Sequence, residues 1–279
     1  MALPCFYINP DLSVYGPGSM IGPDSGSGSN SLSGRDRVSA PDSKSGNGEI
    51  VLDEETSKHV VQVLRMRPGE QLQLTDGKGG LLTAIIVDDH KKKCLVRIVA
   101  AVHRPGRENK VTLAISLLKN ANRLEWLLEK VTEIGVTAII PLVCERTEKQ
   151  HFRQDRMQNI LVSAMLQSQQ VWLPALSSLA LFADVVGMGD GYTRKYIAHC
   201  LETERISLAD AVGRTAAGAD GKSGAADSSI ILIGPEGDFS TKEIELALSN
   251  GFLPVTLGDT RLRTETAGIV AATLLCIAG

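Results

Sequence analysis

The chain has 279 residues, of which 43% are hydrophobic and 4% aromatic, and its formal net charge is −3. That length suits about two domains with ordinary cores, while the acidic balance and few aromatics exclude a generally basic, base-stacking surface, so RNA or DNA contact would need local patches. Five cysteines without CxxC spacing and five histidines without an HxxxH pair exclude a disulfide framework and a zinc site, and no metal is expected. The opening MALPCFYINPDLS lacks the positive start and long apolar run of a secretory signal. The longest apolar stretch, Ala267 to Ala278, is too short to span a bilayer. A cytoplasmic protein with no membrane partner is expected.

In chain order, Gly16 to Gly48 is rich in Gly, Ser, Asp and Asn and has almost no apolar periodicity. It reads as a low-complexity insertion that buries too little to offset its ordering entropy. A helix is expected over Glu54 to Arg65. Strands are expected over Gln71 to Leu74, Leu82 to Val87 and Cys94 to Val99, with turns at Asp76-Gly77, Gly79-Gly80 and Lys91-Lys92-Lys93. Together they predict a small β-barrel over 1–103, ending at the Arg104-Pro105-Gly106 linker.

Beyond that linker the rhythm changes, and 104–279 forms the second predicted domain. A continuous apolar strand, Val111 to Leu117, precedes a helix with Leu124, Leu127, Leu128, Val131 and Ile134 on one face, started by Asn122 and Glu125 and stopped by Gly135. A strand over Ala138 to Val143, a helix over Asp155 to Gln170 and a strand over Tyr196 to His199 follow. Another low-complexity patch is expected from Gly213 to Ser229. Then come a strand into Gly234-Pro235-Glu236-Gly237, a helix with Ser240 and Glu243 as capping box and Gly251 as stop, a strand over Val255 to Leu257, a loop from Gly258 to Arg263, and a last helix from Thr264. Strands alternating with helices predict an α/β fold with a parallel sheet and helices on both faces.

A strand entering a glycine loop at a helix start marks a ligand site. The Glu236 carboxylate disfavours a phosphate there. A ribose diol or a cationic ligand accepts it, as does a plain solvated helix N-terminus. AAGADGKS, Ala216 to Ser223, falls short of a phosphate-binding loop by its first glycine and by its lack of flanking strand and helix. Seven basic residues between Val111 and Arg156 are nearly cancelled by six acidic ones, which suits a solvated surface.

LLKNANRLEWLLEKVTEIGVTAIIPLVCERTE resembles the segment of the RsmE family that runs from a Lys and an Arg through K-x-x-E-L-G-V to P and ER. LIGPEGDFSTKE is similar to that family's GPEGG loop, LGDTRLRTETA to its LG-x-x-x-LR-x-ETA loop, and HVVQVLRMRPGEQLQLTDGKGG to its N-terminal H-x-x-x-VLR…G…DG signature. Two departures are Asp238 in place of the last loop glycine, and Leu166-Gln167-Ser168-Gln169-Gln170 where the family has E-Q-x-x-R.

The resemblance implies a methyltransferase of the SPOUT superfamily that modifies N3 of a uridine in small-subunit (16S) ribosomal RNA. It also implies a homodimer, a C-terminal trefoil knot and a PUA-like N-terminal barrel. S-adenosylmethionine would be held by His199, Leu201, Glu202, Ile233, Gly234, Pro235, Glu236, Gly237, Leu257, Gly258, Leu262 and Arg263. Arg263 would stabilise the anion developing on uracil, and Glu265 would accept a proton or orient Arg263. Arg65, Lys119, Arg123, Lys130, Arg146 and Gln167 would meet the RNA, with Arg123, Lys130 and Arg146 supporting RNA placement or the dimer. The alternatives are a methyltransferase of the same superfamily acting on another RNA, and a non-catalytic ribosome-assembly factor.

Overall fold

A computed structural model describes residues 3–8, 48–148, 151–201, 204–217 and 227–277. The expected insertion lies outside these residues up to position 47. The chain divides into two compact units, Met1–Pro105 and Gly106–Gly279, each with its own core.

In the first unit the strands are β1 (Cys5–Tyr7), β2 (Glu49–Val51), β3 (Gln71–Thr75), β4 (Gly80–Asp88) and β5 (Leu95–His103). They form one curled sheet in the order β1-β3-β4-β5-β2, antiparallel except where β1 joins β3. Alternate residues Leu72, Leu74, Leu82, Ala84 and Ile86 fill its core with Phe6, Leu52, Val60 and Val96, as period-two patterning requires.

The helix expected over Glu54 to Arg65 is interrupted. Helix α1 covers only Glu54–Lys58, started by Asp53, whose carboxylate accepts the Thr56 N–H. A π-helical turn, His59–Val63, replaces the rest. Val60, Val61 and Val63 are β-branched and poor α-helix formers. The wider turn closes with Leu64 N–H on the His59 carbonyl and Met66 N–H on that of Val60. Arg65 then sits at φ 57°, in the left-handed region.

The second unit is a parallel sheet with helices on both faces. Its elements are β6 (Lys110–Ser116), α2 (Ala121–Ile134), β7 (Ala138–Val143), α3 (Gln154–Gln167), β8 (Ala175–Leu176), β9 (Ala180–Leu181), α4 (Phe182–Gly187), β10 (Arg194–Ala198), β11 (Ile206–Ser207), α5 (Leu208–Ala217), β12 (Ser228–Ile233), α6 (Thr241–Ser249), β13 (Leu253–Thr256) and α7 (Thr264–Ile277). The sheet order is β11-β13-β10-β12-β6-β7-β8, with β9 also on β7. Along β12, Ile231 and Ile233 enter the core that holds residues of α2, α3, α5 and α7. Ile230 and Leu232 enter the opposite core, with residues of α4 and α6. Burial on both faces explains the unbroken apolar run.

Several ends differ from the sequence expectation. The cap of α2 is Asn120, whose side chain accepts the Asn122 N–H. Glu125 instead takes a bidentate grip from Arg156 on α3, at 2.6 and 2.8 Å. Helix α3 stops at Gln167, and Gln169 turns left-handed at φ 56°. Helix α5 occupies part of the patch expected to lack structure from Gly213 onward, and positions 218–226 lie outside the described residues. Gly135, at φ 100°, ends α2 as expected. There Arg107 donates to the Ile134 carbonyl and to that of Cys276 at the end of α7, so one guanidinium serves two helix C-termini.

Candidate active site

In a parallel sheet all strands end at one edge, and the loops leaving them gather there. Strands β10, β12 and β13 are neighbours. Their loops (Cys200 and Leu201 after the first, Gly234 to Asp238 after the second, Leu257 to Arg263 after the third) close a cavity of about 730 Å³. That volume falls within the roughly 300–1,000 Å³ of small-molecule sites.

The middle loop is a tight turn, with Asp238 N–H on the Pro235 carbonyl at 2.9 Å. Gly234 is closely packed: a Cβ there would lie 3.1 Å from the Phe239 nitrogen and ring, which would have to give by a few tenths of an ångström. Ser240 and Glu243 form the expected capping box at the start of α6. Arg146 fixes the loop from outside, its Nη1 donating to the Gly237 carbonyl at 2.7 Å.

Of the residues expected around a cofactor, His199, Leu201, Ile233, Gly234, Pro235, Glu236, Leu257, Gly258, Leu262 and Arg263 line the cavity. Gly237 does not; its carbonyl is engaged by Arg146, and a Cβ on it would meet only that side chain, at an ordinary 3.5 Å. Glu202 lies outside the described residues. Cys200, within the loop expected from His199 to Glu202, lines the cavity too, while sequence reasoning missed Arg205 and Asp238 as lining residues. Asp238 had been visible only as a departure from a motif. Nothing in the local sequence marks Arg205.

The polar groups here are unusual. His199 is buried, and neither ring nitrogen has a partner. Burial pushes its pKa below the usual histidine value, Asp238 opposing and Arg205 reinforcing the shift. The Arg205 Nε is buried without a partner as well. Glu236 is exposed, and Leu257 and Leu262 are half-buried. The lining sets three carboxylates (Glu236, Asp238 and Asp259) against three guanidiniums (Arg205, Arg261 and Arg263), and with the orphaned imidazole and two leucines it suits a polar nucleoside with an apolar base.

Glu265 is not part of this lining. It is buried in the first turn of α7 and faces Arg123, whose Nη1 lies 3.6 Å from Oε1. The expectation that it orients Arg263 is therefore corrected: Arg123 is its ion-pair partner. Arg263 is exposed and lines the cavity.

Most of the basic residues expected at RNA are already engaged within the protein. Lys119 pairs with Glu148 at 2.8 Å, and Lys130 with Glu129 and Glu133. Exposed Gln167 ends α3 and lines a second cavity of about 610 Å³ with Glu129, Glu133, Arg153 and Arg156. Arg65 is exposed in the first unit. The five cysteines are free thiols. Among the described residues no group of His, Cys, Asp and Glu could hold a metal ion, and no helix is long and apolar enough to cross a membrane.

Residues 106–276 match the RNA methyltransferase domain, and residues 52–99 the RNA methyltransferase PUA domain. The ribosomal RNA small subunit methyltransferase E of Synechocystis is 32% identical over 217 residues, covering 76% of this chain and 68% of that protein. The chain belongs to the ribosomal RNA small subunit methyltransferase E family. A family structure from Neisseria gonorrhoeae, bound to S-adenosyl methionine, superposes with a TM-score of 0.72 at 26% identity, covering 97% of this chain and 95% of that one. A probable rRNA-methyltransferase from Porphyromonas gingivalis gives 0.71 at 35% identity, covering 80% and 90%. The parallel α/β core and the PUA-like first unit are thus the architecture of this methyltransferase E family.

Proposed function

We propose that this protein uses S-adenosylmethionine to methylate N3 of a uridine in 16S ribosomal RNA of the small subunit, in the cytoplasm and as a homodimer. The observation that carries the reading is the cavity at the ends of β10, β12 and β13, with its charged groups, apolar flanks, unpartnered His199 ring nitrogens and unpartnered Arg205 Nε. Residues 1–103 would be a PUA-like RNA-binding domain and 104–279 the methyltransferase domain, whose three loops and last helix would form the family's trefoil knot, an exception to the general avoidance of knots.

When bound, S-adenosylmethionine supplies a methyl group made electrophilic by its sulfonium. Within this chain, Glu236 suits the ribose hydroxyls or the positive charge, while Leu257 and Leu262 flank the adenine. Arg263 lies in the same lining. A guanidinium there would donate hydrogen bonds that converge on a uracil carbonyl oxygen as N3 gives its proton to water, stabilising the uracil anion whose nitrogen attacks the methyl group and displaces the thioether. Holding N3 in line with the methyl–sulfur bond accounts for much of the barrier reduction. Arg123 is held by Glu265 and, 40% exposed, can meet RNA phosphate. Arg146 preserves the loop.

The homodimer is supported by α7. Ile269, Val270 and Leu274 remain partly exposed, Ile277 is 74% exposed, and Trp126 on the adjacent α2 is 48% exposed. A second copy would cover them. Mass spectrometry of ribosomal RNA from cells lacking the protein tests the whole proposal. Loss of one 3-methyluridine, restored by the purified enzyme on small subunits, is expected; an unchanged modification pattern would refute it.

A further inference from the structure

Asp238 is one of few described non-glycine residues with positive φ, at 65°. That conformation crowds a Cβ, and aspartate and asparagine are among the side chains that tolerate it best. Both carboxylate oxygens are used. Oδ2 accepts the backbone N–H of Cys200 at 2.8 Å, and Oδ1 that of Phe239 at 2.8 Å. Cys200 follows β10 whereas Asp238 follows β12, so one side chain joins two of the three loops that close the cavity.

The joined segment carries the unsatisfied groups. His199 is 4% exposed with both nitrogens unpaired, and its carbonyl accepts from Arg205 Nη1, the same guanidinium whose Nε is buried and unpaired. Such groups are rare in folded proteins and call for an explanation. His199, Arg205 and Asp238 all line the cavity. A neutral imidazole offers one donor and one acceptor, and Arg205 Nε one donor. Those are partners for the polar edge of a purine or for ribose hydroxyls.

We infer that Asp238 is a positioning residue for the cofactor, one that holds the Cys200 N–H so that His199 and Arg205 present their unpaired nitrogens to the nucleoside. The inference rests on the proposed S-adenosylmethionine site. It assigns to the aspartate of the GPEGD loop a task beyond turning the backbone.

Replacement by glycine separates the two roles. Glycine adopts positive φ without steric cost, so Asp238→Gly should keep or raise the melting temperature of the ligand-free protein. It removes the link to Cys200, so calorimetric affinity for both S-adenosylmethionine and S-adenosylhomocysteine should fall about tenfold, equivalent to roughly 1.4 kcal/mol. The Cys200 amide should also exchange its hydrogen faster. Asp238→Asn keeps one acceptor and should lose less. Undiminished affinity in Asp238→Gly would overturn the inference and leave the cofactor reading intact. A melting temperature that falls together with affinity would overturn it in favour of a merely structural clamp. No binding of either ligand by the unaltered protein would overturn the cofactor reading, and the inference with it.

Discussion

Arg263 and His199 are the two extremes of the cavity lining, one exposed, the other buried with its pKa pushed down by desolvation. Removing a donor aimed at developing charge commonly costs about 2.7–4 kcal/mol of barrier. Arg263→Ala should therefore lose roughly a hundred- to a thousandfold in single-turnover methylation of small subunits, while cofactor affinity stays within a few-fold. Arg263→Lys should rescue poorly, since an ammonium lacks the planar fork. His199 predicts a pH dependence. Its folded pKa is lowered from 6.5, with Asp238 and Arg205 as its charged neighbours. On acidification the unfolded chain takes up the proton first. The stability this ring contributes is thus present above about pH 6.5 and declines as pH falls towards the folded pKa. Melting temperature followed from about pH 7.5 to about pH 5.5 should fall, and His199→Gln should flatten that part of the slope. Glu236 and Arg263 were legible because each lies in a motif, and His199 because it ends a predicted strand, whereas the contacts of Asp238 and Arg205 exist only at the folded sheet edge.

Local chemistry at helix ends was the clearest message in the sequence. Ser240 with Glu243, and Gly135 after Ile134, set their boundaries by hydrogen bonds within a few residues, which a sequence displays directly. Ser240→Ala should lower stability by about 0.5–2 kcal/mol, measured by denaturant unfolding. The π-helical turn at His59–Val63 was illegible, because helical spacing continues through it and only the placement of Val60 and Met66 selects the wider turn. Helix α4 escaped notice because its 6 residues hold too few turns to establish a period, and α5 because its second half falls in the stretch read as low-complexity from Gly213. Helix α7 carries an instructive glycine. At Gly268 a Cβ would lie 2.8 Å from Ile115 Cδ1 and 3.0 Å from Leu127 Cδ1, both side chains fully buried. Alanine gains about 0.8–1 kcal/mol of helix propensity, which largely offsets the crowding. Valine adds more bulk than the site can absorb, and Gly268→Val should cost about 1–3 kcal/mol in unfolding free energy.

Across the whole molecule, all cavity-lining residues fall between Ala198 and Ala267, within the second unit. Residues Gly106–Gly279 expressed alone should therefore bind S-adenosylmethionine as tightly as the full chain in calorimetry, yet methylate small subunits poorly for want of the PUA-like unit. Light scattering of the full chain at micromolar concentration should give the mass of two copies; a monomer would refute the dimer. The parallel sheet has a further consequence, for time rather than for binding. Its central pairing sets Lys110 beside Ser228, and β13 must still join β10 before the third loop has a place. Every such pairing closes a long stretch of chain before any contact compensates the lost entropy, which makes parallel sheets slow to assemble. A cofactor that needs all three loops arrives after that slow step. It should lengthen the lifetime of the folded protein, measured as slower unfolding in denaturant, while leaving the refolding rate where it was.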